Sequence, residues 1–227
     1  MISQQIYCRN TEFQVSTQLT VESDHFVKLL TTESERIESY RLRYEVFYLE
    51  LGWAKSASNT LEIDNYDRCA IPLGSYNRYH HLEAYLRIVR SEDHFMLERD
   101  FPYLLSQCHT FRKGMDTIEI SRLCLKPETR KEKISGNFGT YPVSQLLFKG
   151  VYIWCLMNNI RYIYMVVAEK VFRLLCARGF PCKLAGEPHY MPDGIVTVAA
   201  VLDWREFECL CKIKHSKMFA WFSQNQR

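Results

Sequence analysis

The spacing of apolar residues along the chain predicts helices in five places. They are Glu33–Leu51, Glu98–Cys108, Val143–Asn158, Glu169–Arg178 and the tail Trp204–Phe222. The third is the most apolar, and it follows Pro142, whose missing N–H costs nothing at a helix start. The fourth precedes Gly179, which suits a C-terminal cap. We expect the long apolar helix to lie against a sheet.

Alternating or continuous apolar runs predict strands in six further segments. They are Glu12–Thr20, His81–Arg90, Asp116–Leu125, Tyr162–Val167, Lys183–Leu184 and Ile195–Leu202. The alternation in the third segment slips near Arg122, as a β-bulge would cause. The polar, turn-rich segment Ala54–Tyr79 is predicted to be a long loop, and such loops are often functional. The segment Lys126–Tyr141 is a basic, glycine-containing connection.

This order of elements predicts an α/β fold with a mixed sheet and helices on both faces. Strands and helices do not alternate regularly, which argues against a barrel or a Rossmann domain. The 227 residues contain no repeat and no Pro/Gly-rich linker, so we expect a single domain over residues 1–227. Within it, residues 1–32 would form an N-terminal extension and residues 203–227 a helical tail.

Composition and charge exclude several classes of protein. The net charge of +3 is too small for a nucleic-acid-binding surface. The Val143–Met157 region is too short and too interrupted to cross a bilayer, and the first residues contain no apolar signal core. We therefore expect a cytoplasmic protein without integral membrane association. The nine cysteines include no CxxC pair, so we expect reduced structural thiols and no metal site.

Charged residues inside apolar strands point to a functional site. GxGxxG, GxxxxGK[ST], GxSxG and HExxH motifs are absent, but Arg87 and Glu119 interrupt predicted strands. Charges in such positions are seldom buried unless they are paired, and paired buried charges are frequent at active sites. The plain alternatives are solvation of a helix by Arg43, loop solvation by Glu62-x-Asp64-x2-Asp67, and a core position for Trp53.

The spacing of these residues resembles that of a known enzyme family. The string is Arg43-x3-Phe47-x5-Trp53, then Glu62-x-Asp64-x2-Asp67, then Arg87, Phe101 and Glu119-x2-Arg122. With the local strings RYEVFYLELGW, EIDNYD, EISRL and YPVSQLLFKGVYIWCLMNNIRYIYMVV, it resembles the acyl-homoserine-lactone (autoinducer) synthases from about Arg41 to Leu202. The resemblance implies the three-layer αβα fold of the GCN5-related N-acetyltransferases, with a splayed mixed sheet.

The resemblance also implies an activity. A fatty acyl group would move from a thioester of acyl carrier protein or coenzyme A to the amine of S-adenosylmethionine. The products would be an N-acyl homoserine lactone, which is a quorum-sensing signal, and methylthioadenosine. S-adenosylmethionine and the acyl thioester would be substrates, and no tightly bound cofactor is expected.

Glu119 and Arg122 are the candidate catalytic residues. Glu119 would accept a proton from the acceptor amine, through a water molecule, and its alternative role is to pair with Arg122. Residues expected to shape the acceptor pocket are Arg43, Phe47, Trp53, Asp64, Asp67, Arg87 and Phe101. Asp64 or Asp67 would hold the ammonium or ribose hydroxyl groups of the acceptor, and mutual pairing as a scaffold is the alternative.

The acyl donor is expected near the Lys126–Tyr141 connection, because basic loops and helix N-termini bind phosphate. Residues expected to bind the pantetheine phosphate or to dock an acidic carrier protein are Arg130, Lys131, Lys133, Lys149, Arg173 and Arg178. Candidates for the lining of the acyl-chain pocket are Leu146, Trp154, Met165 and Val167, each of which would also serve as ordinary core.

Two other functions stay open at this point. The segment Asn77–Leu86 lacks the glycine that autoinducer synthases usually have before the strand arginine, and the N-terminus is longer than usual. Related N-acyl amino acid synthases share the fold and acylate a free amino acid, such as tyrosine, without forming a lactone. A non-catalytic ligand-binding protein is a third class, against which the intact Glu119 and Arg122 argue. The acyl length and the choice between carrier protein and coenzyme A are not determined.

Overall fold

The computed structural model describes residues 17–54 and 59–224. Its strands are β1 Gln18–Glu22, β2 His25–Leu29, β3 Ile71–Asn77, β4 Leu82–Arg90, β5 Thr117–Leu125, β6 Lys133–Gly136, β7 Gly139–Pro142, β8 Tyr162–Ala168, β9 Lys183–Leu184, β10 His189–Tyr190 and β11 Val196–Asp203. Its α-helices are α1 Glu33–Arg43, α2 Met96–Arg99, α3 Val143–Met157, α4 Glu169–Ala177, α5 Trp204–Lys214 and α6 Ser216–Ser223. A π-helix, Tyr44–Glu50, continues α1, and short 3-10 turns cover Asn65–Arg68, Pro102–Leu104 and Glu128–Lys131.

A nine-stranded mixed sheet forms the centre of the molecule. Its order is β1-β2-β3-β4-β5-β8-β11-β10, with β9 also paired to β11, and β6 and β7 form a separate hairpin. β5 and β8 run parallel, whereas the other pairs are antiparallel. Side chains of α3 to α6 cover one face, and α1 with α2 covers the other. The expected three-layer αβα fold with a mixed sheet is therefore confirmed.

The two parallel strands separate part of the way along their length. Their pairing ends at Ile120 and Met165, after which β5 continues beside β4 and β8 continues beside β11. The sheet is thus open between the end of β5 and the end of β8. We call this gap, between residues 121–125 and 166–168, the opening.

A β-bulge lies next to the opening, where the sequence predicts one. Arg122 has a φ of 55°, and the register between β4 and β5 shifts between the Tyr85 and Arg87 pairs. The bulge turns two successive side chains, Ser121 and Arg122, toward the face covered by α1.

The long helix α3 is buried on nearly all sides, as a helix that is apolar all round should be. It contains one buried cation, Lys149, which pairs with Glu22 of β1 at 3.3 Å. Trp221 of α6 donates to the same carboxylate at 2.7 Å. This arrangement joins both ends of the described chain to the centre of α3. None of the described helices is long and apolar enough to span a membrane.

Several predicted boundaries are wrong. The Ala54–Tyr79 segment contains β3 and a 3-10 turn, the predicted helix Glu98–Cys108 is only a short helix and a 3-10 turn, and β2 was not expected. The predicted strand Glu12–Thr20 lies mostly outside the described residues, and the described part begins β1. Within the predicted N-terminal extension, β1 and β2 belong to the central sheet, and within the predicted helical tail, α5 and α6 pack on the core.

Candidate active site

Three arginines and three carboxylates meet on the face of the sheet that α1 covers. We call this set the ion network; its members are Arg43, Arg87, Arg122, Glu62, Asp64 and Asp67. Apolar clusters flank it along the sheet, one around α1 and one around α2. Three positive and three negative charges lie together, so each buried charge has a partner of opposite sign, and their attraction opposes the cost of removing them from water.

Asp67 joins the two arginines that are fully buried. It accepts from Arg43 Nη1 at 2.6 Å and from Arg87 Nη1 at 2.8 Å. Arg87 reaches Asp64 through both terminal nitrogens, at 2.5 and 2.7 Å, and donates from Nε to Ser121 at 2.9 Å. Each of the three guanidinium nitrogens of Arg87 therefore donates to a side-chain oxygen.

Glu62 links α1 to the bulge in β5. Its carboxylate accepts from Arg43 Nε at 2.5 Å and from Arg122 Nη2 at 3.0 Å. Arg122 also pairs with Asp64 at 2.8 Å and lies over the ring of Phe47, 5.4 Å from its centroid. Arg122 is the one arginine of the network that is partly exposed.

The local sequence explains why the acidic residues stand where they do. Asp64 caps the 3-10 turn Asn65–Arg68, accepting from the Tyr66 N–H at 2.9 Å. The carboxylate of Asp67 accepts in turn from the Asp64 N–H at 2.8 Å, which completes a capping box. The D-x2-D spacing thus lets hydrogen bonds within the turn itself hold both carboxylates in place, in addition to their pairing with the arginines.

Mutual pairing favours the charged forms of Asp64, Arg43 and Arg87. Although burial opposes ionisation of Asp64, the hydrogen bond and charge of Arg87 keep the pKa of Asp64 below its usual range. Burial would also lower the pKa of Arg43 and Arg87, but their carboxylate partners raise it above the usual arginine value. Asp64, Arg43 and Arg87 therefore stay charged across the physiological pH range.

Glu119 has a different environment from the one expected. It is 1% exposed, and its two oxygens accept from the N–H groups of Met96 at 2.6 Å and Leu97 at 2.9 Å. Within residues 17–54 and 59–224, no ion pair joins it to Arg122, so the predicted alternative role as partner of Arg122 is wrong. Burial raises the pKa of Glu119 to about 7, against the two amide hydrogen bonds, which lower it.

Two shallow depressions open onto the exposed edge of the ion network. One, of about 330 Å³, is lined by Tyr40, Ile63, Asp64, Asn65, Asp67 and Arg68. The other, of about 220 Å³, is lined by Asp64, Asn65, Tyr66, Met96, Arg99, Asp100 and Arg122. Asp64 borders both, and the second brings it together with Arg122. A polar ligand at this edge would meet carboxylates and a guanidinium.

The aromatic residues expected in the acceptor pocket lie at different distances from this edge. Phe47 is buried and stacks with Trp53, whose ring is 40% exposed, with 6.2 Å between centroids. Phe101 instead packs with the apolar cluster around α2, edge-on to Tyr103. The structure therefore brings Phe47 to Arg122, stacks Trp53 on Phe47, and leaves Phe101 outside the ion network.

The sequence of this chain matches one family over most of its length. The sequence model of the autoinducer synthases matches residues 27–208, which include the whole ion network. The chain belongs to the autoinducer synthase family. It is an enzyme, an acyltransferase.

Curated members of the family are recognisably similar. The acyl-homoserine-lactone synthase of Pantoea stewartii subsp. stewartii is 28% identical over 169 residues, covering 71% of this chain and 73% of that protein. The acyl-homoserine-lactone synthase of Vibrio anguillarum is 24% identical over 159 residues, covering 68% of this chain and 78% of that protein.

Solved structures share the fold at lower identity. The CoA-dependent acyl-homoserine lactone synthase BjaI, solved with MTA, has a TM-score of 0.69 at 18% identity and covers 88% of both chains. The N-acyl amino acid synthase FeeM, from uncultured soil microbes, has a TM-score of 0.59 at 16% identity, covering 82% of this chain and 93% of that one. A putative N-acetyltransferase from Lactobacillus plantarum is also similar, at a TM-score of 0.53.

The basic residues expected to bind the donor have different environments in this autoinducer synthase. Arg130 is engaged by Glu50, and Arg173 by Glu169, whereas Lys131 and Lys133 are exposed. Arg178 donates to Ser144 at 2.9 Å, near the start of α3. Lys149 is fully buried against Glu22, so its predicted place on a docking surface is wrong.

The candidate acyl-chain residues are divided along α3 and β8. Met165 is the last residue of β8 paired with β5, and Val167 lies beyond it at the opening. Leu146 lies in the first turns of α3, but Trp154 is about 12 Å further along the helix, under the Arg90 guanidinium. Three of the four are therefore near the opening, and Trp154 is toward the other end of the sheet.

Two further features bear on catalysis: a buried thiol beside the ion network, and a group of side chains that could hold a metal ion. Cys124 is buried beside the ion network, and burial raises its pKa to about 12, so the thiol stays protonated near neutral pH. In the described part of the chain, one group has ligand atoms close enough for a metal: His25, Glu83 and Glu132, within 4.8 Å of one another. His25 Nε2 lies 3.2 Å from a carboxylate oxygen of Glu83.

Some residues of the site had no role in the sequence prediction. Glu62 was recognised within the motif, but not as the carboxylate that links two arginines. Ser121 and Met96 were not considered, although Ser121 binds Arg87 and the Met96 sulfur lies 3.4 Å from Arg87 Nη2. Ser121 was detectable in principle, because it shares a strand face with Glu119.

Proposed function

We propose that this autoinducer synthase transfers a fatty acyl group from a phosphopantetheine thioester to the α-amine of S-adenosylmethionine. The observation that carries the proposal is the ion network at the edge of an opened sheet, within the region that matches the family. Two solved structures of one relative support the acceptor: BjaI was solved with MTA and, separately, with SAM and isopentyl-CoA.

The chemistry would proceed in two steps. In the first, the amine nitrogen attacks the thioester carbonyl, an amide forms, the C–S bond breaks, and the thiol leaves with a proton. In the second, the carboxylate of the acylated intermediate attacks its own γ-carbon and displaces methylthioadenosine from the sulfonium. The lactone C–O bond forms as the C–S bond breaks, so the products are an N-acyl homoserine lactone and methylthioadenosine.

The acceptor is proposed to bind at the depression between Asp64 and Arg122. Asp64 offers a carboxylate for the ammonium and hydroxyl groups, and Arg122 offers its guanidinium, whose Nη1 lies 4.0 Å from the Met96 sulfur. Phe47 and Trp53 would cover the apolar side of the acceptor, with Arg43, Asp67 and Arg87 as the scaffold beneath. Phe101 would contribute only through the position of its neighbour Asp100.

Glu119 remains the proposed base because its raised pKa, about 7, suits proton transfer near neutral pH. Its oxygens already accept two amide hydrogen bonds, so it would take the amine proton through a water molecule. The oxyanion of the first step would be held by backbone N–H groups of β5 at the opening. Lys126 is excluded among these, since its N–H donates to the Glu83 carbonyl at 2.9 Å.

The donor is proposed to enter through the opening. Its phosphate would lie near Arg130, Lys131 and Lys133, and the acyl chain would run past Val167, Met165 and Leu146 toward Trp154. Arg173 and Arg178 would meet an acidic carrier protein if the donor is carried by one. Coenzyme A and carrier protein both bear the same phosphopantetheine, so either fits this description. A cytoplasmic location stays a prediction.

An N-acyl amino acid synthase is the second candidate, favoured by the similarity to FeeM and by the segment before Arg87 that lacks glycine. Mass spectrometry of lipids from cells that express the chain separates the two. We expect N-acyl homoserine lactones that are absent from cells with an Arg122→Ala variant. Accumulation of an N-acyl amino acid, with no lactone, would replace the proposal with the second candidate.

A further inference from the structure

The last residue of the π-helix, Glu50, lies across the mouth of the opening. Arg130, which follows β5, donates to its carboxylate from both terminal nitrogens, with Nη1 at 2.6 Å. Arg130 also approaches the carbonyl of Leu125, the last residue of β5, at 3.4 Å. The guanidinium is thus held at the end of one strand that borders the opening, facing a carboxylate from another layer of the fold.

A cation from the other side of the opening acts on the same carboxylate. The hydrogen bond from Arg130 is the main cause that holds the pKa of Glu50 below its usual range, and the charge of Lys170 adds to it. Lys170 is exposed and stands in the first turn of α4, directly after β8 ends. Glu50 therefore lies between a cation that follows β5 and a cation that follows β8.

A carboxylate and a phosphate are alternative partners for such a pair of cations. Arginine binds either one through two parallel N–H donors, so the two anions compete for the same geometry. Two of the three nitrogens of Arg130 are taken by Glu50. A phosphate that reaches Arg130 at the mouth of the opening has to displace the Glu50 carboxylate first.

We propose that Glu50 competes with the phosphate of the phosphopantetheine donor for Arg130 and thereby sets the affinity for the donor. The inference rests on the proposed function for the identity of the anion. Glu50 is then an internal stand-in for the donor phosphate, and it keeps the two cations together while the donor is absent. It acts through Arg130 and touches no reacting atom, so it is a positioning residue.

The exposure of the Glu50–Arg130 pair limits how strongly Glu50 can change the affinity for the donor. Both side chains are 39% exposed, and exposed pairs contribute at most about 1 kcal/mol. Removal of the Glu50 charge should therefore tighten donor binding by about two- to fivefold, and it should leave the thermal stability almost unchanged. A simple structural brace would give the opposite pattern, with lower stability and no gain in affinity.

The test measures the dissociation constants of coenzyme A and free phosphopantetheine by calorimetry with the full chain. Glu50→Gln is compared with the wild type and with Glu45→Gln, an exposed glutamate of the same π-helix. We expect Glu50→Gln to tighten binding about two- to fivefold, Glu45→Gln to change nothing, and Arg130→Gln to weaken binding. The double variant Glu50→Gln/Arg130→Gln should bind like Arg130→Gln, because Glu50 has lost the residue for which it competes.

The inference is overturned if Glu50→Gln binds both probes no more tightly than the wild type, or if neither probe binds at all. It is also overturned if Glu50→Gln tightens binding equally with and without Arg130. Turnover is measured separately with acyl donor and acceptor. A wild type that binds the probes with the predicted shift, yet forms no product, would contradict the proposed function and leave this inference standing.

Discussion

At the scale of single residues, Glu119 shows how a strand position predicts a buried charge without predicting its partner. Its place in an apolar strand identified it, as it did Arg87. Its hydrogen bonds, however, go to the first amides of α2, and Arg122 pairs with Glu62 and Asp64 instead. The partners of a buried charge come from distant segments, so the spacing along one strand does not determine them.

The raised pKa of Glu119 predicts a pH dependence of stability. The folded protein holds this proton up to about pH 7, whereas the unfolded chain releases it near its ordinary value of 4.5. The stability that Glu119 contributes is therefore complete below pH 4.5 and is lost as the pH rises through about 7. Relative to Glu119→Gln, the wild type should lose roughly 3 kcal/mol of unfolding free energy over this range, measured by urea titration.

The same variant tests the catalytic role. If Glu119 accepts the amine proton, the wild-type kcat rises through about pH 7, and Glu119→Gln lowers kcat strongly and removes that rise. Glu92→Gln, an exposed glutamate in a turn, is the control and should match the wild type. A Glu119→Gln enzyme with unchanged turnover would remove Glu119 from the base role, whatever its effect on stability.

At the scale of elements, periodicity predicted the buried helix α3 and the strand β8 well, because both are long and consistently apolar. It failed for β3, whose sequence contains Pro72 and Gly74, residues that are rare in strands. A Cβ at Gly74 would lie 2.6 Å from the Leu82 side chain, so a larger residue there would require that side chain to move. Tertiary packing, which the local pattern does not contain, decided this strand.

The buried pair between α3 and β1 gives a prediction at this scale. Lys149→Met leaves the buried Glu22 carboxylate with the Trp221 N–H and no cation, so we expect a loss of about 3 kcal/mol in unfolding free energy. The double variant Glu22→Gln/Lys149→Met removes both charges and should recover much of that loss. Urea denaturation measures both.

Lys217→Met, at an exposed position of α6, is the matched control and should lie within about 0.5 kcal/mol of the wild type. If Lys149→Met is as stable as this control, the ion pair contributes nothing. If the double variant is no more stable than Lys149→Met, the loss comes from packing rather than from the unpaired carboxylate.

At the scale of the whole molecule, the opening between β5 and β8 brings the two halves of the proposed reaction together. The ion network lies on one side of β5, and the apolar residues proposed for the acyl chain lie on the other. The element order predicted the mixed sheet and its layers, but the place where the parallel pairing ends depends on register and twist. Those are properties of the assembled sheet, so the sequence pattern does not contain them.

The sequence also predicted most residues of the ion network, because the family motif brings them together in one list. It could not predict that Lys149 is buried or that Glu50 occupies Arg130. Both depend on which elements pack together in the folded chain. The sequence of an apolar helix does not show whether a lysine within it is exposed to solvent or buried against a carboxylate.

The measurement that tests the account most directly is the product balance of the purified chain. The protein is incubated with acyl-coenzyme A or acyl carrier protein thioesters and S-adenosylmethionine, and all products are quantified by mass spectrometry. We expect N-acyl homoserine lactone and methylthioadenosine in equal amounts, and neither with Arg122→Ala. Acylation of a free amino acid without methylthioadenosine, or no release of methylthioadenosine with any donor, would contradict the proposed reaction.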